Sequence, residues 1–542
     1  MKPATLVAVS LWLLLSASTV AAQLNVEANR VAELTFEAAK AHRDPFVSVV
    51  LDVEFTDPTG IKKLVPAFWA GGNQWKARYA SPRTGLHPWR TGCNTTNDPG
   101  LHNLTGSVEV VPTTSTNALF RHGPLRVASD RRHFEHADAT PFLWFGDTWW
   151  KCLCKRLTWE GFQELTADRK AKGFNVVQIV CGPYPDEEMM EARWENEGGK
   201  PYQTKDFTVM NPAYFDQADR RLRHLIENGI VPAIVGGWGR PQGGGQPTIV
   251  QVGLEGYRRH WRHLIARYGA YPVVWILGGE ASDRNGPWAD LAKDVCDTDP
   301  FHRLLAYHAP ENPRTAIRQN NELFDFDMVG IGHDGMKTAG DTLALIKSCL
   351  AQSPMRPALC GEACYEGHMQ TNFQDIQRYM FWVFMLSGAA GHTYGAAGIW
   401  HASVEGDCGH TGITGHAYDY TTWKEGMTYP GATQVGLGKK LLENYPWHRF
   451  EPHPEWVPEG LFAAGIPSEL IVVYSPKRGI YDWSGFTVRG LAPGAVYSAF
   501  FFDPATGRRF DQGDVTAIDG TWKASHVPSP QDWVLVMKKV RD

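Results

Sequence analysis

Eight short apolar runs, most of them followed by a stretch of helical spacing, occupy residues 122–450, and no other feature restricts the fold so tightly. The runs fall at 142–146, 175–181, 231–236, 273–277, 304–307, 328–331, 358–360 and 389–394. Helical stretches fill 158–172, 212–228, 252–268, 342–351 and 375–386, whereas 309–325 has room only for a short helix. Strand-then-helix units repeated eight times are what a closed (β/α)8 TIM barrel requires. A doubly wound open sheet is the competing α/β arrangement, but it carries a glycine-rich phosphate loop after its first strand. Phe145-Gly-Asp-Thr-Trp-Trp is not such a loop.

The flanks read differently. Residues 23–113 hold strands at 47–55, 63–69 and 75–79, split by Asp57-Pro-Thr-Gly and Ala70-Gly-Gly-Asn, the pattern of a β-sandwich. Pro112-Thr-Thr-Ser-Thr-Asn serves as a linker. Strands return over 452–542, at 469–474, 485–488, 497–502 and 533–538, and predict a second β-sandwich. Residues 1–22 have the layout of a signal peptide: Lys2, an apolar run from Leu6 to Leu15, and small residues at Val20-Ala-Ala. No later segment reaches the ~18 uninterrupted apolar residues of a membrane span. A secreted or periplasmic protein is therefore expected.

Several function classes are disfavoured by composition and motif. Lys+Arg 53 against Asp+Glu 58 leaves a net charge of −5, which makes no electrostatic case for nucleic acid or anionic membranes. Nine cysteines are too few for a disulfide scaffold at 542 residues, and no Cys/His pair sits at zinc-finger spacing. The first strand carries no His-x-His, and His-Glu-x-x-His and Gly-x-Ser-x-Gly are absent. No metal or cofactor is expected. Aromatic residues, at 12%, suit either large sandwich cores or stacking against sugar rings.

A barrel places its chemistry at the C-terminal ends of its strands, where the loops vary over a fixed scaffold. Those ends read Asp147-Thr-Trp149-Trp150, Gly182-Pro-Tyr184, Gly237-Trp238, Gly278-Gly-Glu280, His308, His333-Asp, Gly361-Glu362 and His392-Thr-Tyr394. Carboxylates, histidines and aromatics at nearly every end make a sugar-binding inventory. Glu280 and Glu362 stand out because they close the fourth and seventh strands, on opposite sides of the ring, each after a glycine that lets the chain turn. Glycoside hydrolysis needs such a pair, one to protonate the leaving oxygen and one to attack the anomeric carbon. Tyr365, Glu366 and Trp400 join the candidate substrate-binding set; Glu366 reads as a clamp, with the nucleophile role as its alternative.

Residues 122–450 resemble the apiosidase-like catalytic domain of glycoside hydrolases in the large retaining (β/α)8 clan. The resemblance is carried by Phe145-Gly-Asp-Thr-Trp-Trp, Lys172-Gly-Phe-Asn-Val-Val-Gln, Val274-Trp-Ile-Leu-Gly-Gly, Pro357-Ala-Leu-Cys-Gly-Glu-Ala-Cys-Tyr-Glu-Gly and Gly388-Ala-Ala-Gly-His-Thr-Tyr-Gly with Gly398-Ile-Trp400. It implies that Glu280 is the acid/base and Glu362 the nucleophile. Characterised members tend to carry Asp where this chain has Glu280, so apiose specificity does not carry over with the motif. The flanks are similar to the β domains that accompany this barrel; the C-terminal one is sometimes labelled collagen-binding, and these residues give that label no support.

The reading that follows is a secreted retaining glycoside hydrolase of a plant or algal polysaccharide or oligosaccharide. A non-catalytic carbohydrate-binding protein on the same barrel is the alternative. It predicts sugar binding without release of reducing ends, and it has no need of two facing glutamates.

Overall fold

The computed structural model describes residues 24–185, 187–239, 246–330, 332–409 and 419–541. The leader expected at 1–22 and the last residue of the run at 328–331 lie outside them. Eight parallel strands close a barrel in chain order: β1 (Trp144–Thr148), β2 (Val176–Val180), β3 (Val231–Val235), β4 (Val274–Gly279), β5 (Leu305–His308), β6 (Asp327–Val329), β7 (Ala358–Cys360) and β8 (Gly391–Tyr394). Helices cover it: α1 (Trp159–Ala171), α2 (Pro212–Glu227), α3 (Leu254–Tyr268), α4 (Trp288–Thr298), α5 (Met336–Leu350), α6 (Gln374–Met385) and α7 (Pro430–Leu442). After β5 there are only two short turns of helix, Pro313–Ala316 and Asn321–Leu323. The ring closes where β1 pairs with β8, Trp144 opposite Gly391 and Asp147 opposite Tyr394.

The first strand begins two residues later than its apolar run implies. Pro141–Phe142 instead pairs antiparallel with Phe134–His136 in a three-stranded sheet that precedes β1. That sheet puts Phe134 against Trp144, with Phe326 against both, so three aromatic rings plug the lower end of the barrel. No described helix is long and apolar enough to cross a membrane.

Ahead of the barrel, a five-stranded and a three-stranded sheet face each other across Val53, Phe55, Trp75 and Tyr79, with Phe55 stacked on Tyr79 at 4.0 Å. The strand Leu51–Thr56 alternates buried and half-buried residues, as a sheet with one core face must. This unit is tied down by Arg78, which donates to the Arg267 carbonyl at 2.7 Å and to Asp219 on α2. Asp219 also accepts from Arg267 Nε at 2.8 Å, and all three residues are buried.

Behind the barrel, the central strands of a six-stranded antiparallel sheet are covered on both faces. Val472, Tyr474, Val534 and Val536 join the barrel core, while Ile471, Val473, Leu535 and Met537 pack into a separate cluster. Leu470–Ser475 is therefore buried throughout, which explains its unbroken apolar run. One ion pair locks this sheet to α6. Arg378 Nε and Nη2 donate to the two Asp532 oxygens at 2.8 and 2.9 Å, and Tyr474 adds a third bond at 3.2 Å. Arg378→Met leaves that carboxylate buried without its cation and is expected to cost about 3–5 kcal/mol. Scanning calorimetry at pH 7 checks this, an unchanged melting temperature being the contrary result.

Candidate active site

Side chains alternate along a strand between the inside and the outside of the barrel. On β1, Trp144 and Thr148 point in; on β8, Thr393 does, and Trp144 Nε1 donates to Thr393 Oγ1 at 3.1 Å. Asp147, His392 and Tyr394 consequently face the helices. Asp147 is fully buried, with Oδ1 accepting from Thr148 N at 2.9 Å and Oδ2 from Trp149 Nε1 at 2.8 Å and Arg169 Nε at 2.6 Å. It has no face left for a sugar hydroxyl. Trp149 is fully buried beside Phe162 of α1. His392 lies between Phe381 and Phe384 of α6, where burial pushes its imidazole down to about 3.

Glu366 is likewise a structural carboxylate. Tyr394 Oη donates to Oε2 at 2.6 Å and Gly431 N to Oε1 at 3.0 Å, which seats the acid on the first turn of α7. Burial raises its proton affinity. These five sequence-derived candidates, Asp147, Trp149, Glu366, His392 and Tyr394, join strands to helices instead of lining the mouth. The strand-end reading missed this because a period of two sends alternate ends outward.

Trp150, Trp238, His308, His333, Tyr365 and Trp400 gather around Glu362. Glu362 follows β7 and lies between two imidazoles: His308 Nε2 is 3.0 Å from Oε2 and His333 Nε2 is 3.6 Å from Oε1. The backbone N–H of Tyr365 donates to His333 Nδ1 at 3.1 Å, so the ring's proton sits on Nε2, facing the carboxylate. Burial opposes ionisation of Glu362, but the two imidazoles outweigh it and hold the acid well below the usual carboxylate range. Trp150 Nε1 donates to Tyr365 Oη at 2.7 Å. Trp150 and Trp238 meet edge to face at 5.2 Å, and both rings border His308, at 5.7 and 5.6 Å. Trp400 stands 6.2 Å from Tyr365. Tyr184, after β2, lies apart from these and packs on Trp194.

Glu280 follows β4, and the residue before it, Gly279, pairs with His308 of β5. The histidine that touches Glu362 is thus the register neighbour of the Glu280 turn. The glycines before the two glutamates serve packing and not the turn itself. A Cβ at Gly279 would lie 2.1 Å from Trp238, and one at Gly361 would lie 2.1 Å from Met328. Glu280 makes the turn with its own backbone, at φ 48°, a left-handed conformation that costs a side-chain-bearing residue about 1–3 kcal/mol. Asn285 holds it there, donating to the Glu280 carbonyl at 2.7 Å while its own Oδ1 accepts from Trp288 Nε1 at 2.7 Å.

Residues 128–449 match the model of the apiosidase-like catalytic domain. The chain belongs to that family. This apiosidase-like protein is a glycoside hydrolase, and its substrate is a carbohydrate. Residues 25–94 match a domain of unknown function, DUF5060. No curated protein matches the chain. Among solved structures, a glycoside hydrolase shares 22% identity over 79% of this chain and 98% of its own, with a TM-score of 0.65. A family 5 glycoside hydrolase from Bacteroides vulgatus shares 20% over 77% and 93%, at 0.64. A third protein, from the same organism and also assigned as a glycoside hydrolase, shares 18% over 96% and 100%, at 0.72. At these identities the likeness speaks for the fold.

One feature of the apiosidase-like mouth escaped the sequence reading. Lys151 Nζ lies 2.6 Å from Glu187 Oε1, and both side chains are buried. His401 Nε2 is 3.4 Å from the same oxygen, and the ammonium sits 4.6 Å from the Trp194 ring centre and 5.2 Å from that of Trp400. Burial disfavours the Glu187 anion, but His401 and Lys151 hold it below the usual range. The loops after β1, β2 and β8 thereby share one charge cluster under Trp400. Only the adjacency of Lys151 to the tryptophan pair hinted at it, because Glu187 lies well past its strand end. Lys151→Met should cost about 3–5 kcal/mol by stranding the carboxylate, and adding Glu187→Gln should recover part of the loss. Urea unfolding of the two variants measures both effects, and equal stability of the single variant and the parent contradicts the pairing.

Proposed function

We propose that this apiosidase-like hydrolase works with retention of anomeric configuration on a plant or algal polysaccharide or oligosaccharide. Glu280 protonates the glycosidic oxygen while Glu362 attacks the anomeric carbon, and the aglycone leaves. Glu280, now the base, takes a proton from water that opens the glycosyl–Glu362 ester and releases the sugar. The observation that supports this most directly is the pair of imidazoles on Glu362. A nucleophile must be an anion at working pH, and His308 and His333 favour that anion. A general acid needs its proton, and a nearby anion raises the proton affinity of a neighbouring carboxyl. The Trp150–Trp238–His308 cluster beside Glu362 supplies apolar wall for a sugar ring. Export forms part of the same proposal; a mature N-terminus after residue 22 in periplasm or medium would support it.

Glu280→Gln should lower kcat on polysaccharides by about 10²–10⁴-fold, the usual scale of general acid–base help. Glu362→Gln should lower it on the order of 10⁴-fold or more, because the covalent step is lost. NMR of the first product anomer tests retention directly. Inverted product, or full activity in both variants, overturns the mechanism.

The acid limb of the pH profile reports ionisation of the nucleophile. Its folded-state proton affinity is lowered, so activity persists as pH falls until that low value is crossed. His308→Ala removes one imidazole and leaves burial less opposed, so the acid limb of kcat/KM should move to higher pH. An unmoved limb contradicts the role given to His308.

A further inference from the structure

The two most exposed large apolar side chains among the described residues, Tyr481 and Ile480, share a loop of the C-terminal domain with the exposed Trp483. In the loop 476–484, Ile480, Tyr481 and Trp483 are 75%, 85% and 60% exposed. The loop is tied down at its base: the Arg478 guanidinium reaches the Ser484 carbonyl, and Asp482 Oδ1 accepts from Ser484 N at 2.9 Å. The Trp483 carbonyl accepts from Val527 N at 3.0 Å, and Ser484 bridges to His526. Two aromatic rings two residues apart are therefore displayed on an ordered frame. Ser525 and His526, both exposed and bonded to each other at 3.0 Å, lie beside them.

The loop also emerges on a defined side. Strand Leu470–Ser475 begins next to Glu469, which lies 3.7 Å from Arg449, beyond the C-terminus of α7. It ends where Ser475 pairs with Trp533, next to Asp532, the partner of Arg378 near the N-terminus of α6. Helices of the barrel run against its strands, so the start of α6 is on the side where strands end and the mouth opens. Residues 476–484 continue off the sheet in that direction.

We infer that Tyr481 and Trp483 form a carbohydrate-binding platform, separate from the catalytic mouth, that holds a polysaccharide chain on the catalytic side of the molecule. Indole and phenol faces suit the apolar faces of pyranose rings, while Ser525 and His526 offer partners to hydroxyls. An exposed aromatic cluster of this kind marks a binding surface. Three side chains fall far short of the roughly 800 Å² per partner of a stable protein interface. The inference rests on the chain being a glycoside hydrolase with a carbohydrate substrate, and not on the roles of Glu280 and Glu362.

Affinity electrophoresis tests it, with the full chain carrying Glu362→Gln run through gels containing pectin, arabinogalactan, xylan or alginate. At least one polymer should retard the protein, and Tyr481→Ala with Trp483→Ala should weaken that binding about tenfold, the scale of two aromatic contacts. With Glu362 intact, the same double variant should raise KM for that polymer and leave kcat/KM on a small aryl glycoside unchanged. Equal retardation of the double variant overturns the inference, as does the absence of retardation by every polymer. A dimer in sedimentation that the double variant abolishes overturns it too, in favour of self-association. Activity surviving in Glu362→Gln would sink the catalytic assignment while leaving the binding result to stand.

Discussion

Closure of the parallel ladder between Trp144–Asp147 and Gly391–Tyr394 is the constraint from which the site follows. Once the ring is closed, each strand position is assigned to the inside or the outside, with no intermediate choice. Asp147, His392 and Tyr394 fall on the outer register and become part of the joint between barrel and helices. Arg169 of α1 binds Asp147 there, and Glu366 links Tyr394 to the start of α7. A conspicuous acid at a strand end thus becomes scaffold, and the scaffold holds the loops that carry the chemistry.

Buried polar contacts hold the mouth together. The tautomer of His333 is set by a backbone N–H, its other nitrogen faces Glu362, and Tyr365 ties the same segment to Trp150. Low dielectric around such a network strengthens each contact and makes each unpaired group costly. The Lys151–Glu187 pair works in the same way beneath Trp400, fastening three loops of different origin. Glu280 carries a left-handed backbone, held by Asn285, and Cys364 in the loop after β7 carries another. Strained backbone persists where its surroundings over-determine it, and such places cluster at functional sites.

The flanking domains do more than flank. Arg78 reaches from the N-terminal unit into the Asp219–Arg267 pair, and Asp532 of the C-terminal sheet receives Arg378 of α6. Burial of the central strands of the C-terminal sheet on both faces fastens that domain to the barrel. The aromatic loop beyond Ser475 projects from that sheet toward the catalytic side.

Periodicity and turn residues alone determined the eight-stranded barrel, the two β-rich flanks and the motif that places Glu280 and Glu362 after β4 and β7. Those signals are local, because a strand, a helix or a tight turn is written in a few neighbouring residues. Tertiary structure alone decided which strand-end residues face inward, why Gly279 and Gly361 must be glycine, and that His308 and His333 converge on Glu362. It also decided that Lys151 meets Glu187. Each of those depends on groups from distant parts of the chain, brought together only when the ladder closes with a particular register, and a shift of one residue would exchange every inward side chain for an outward one.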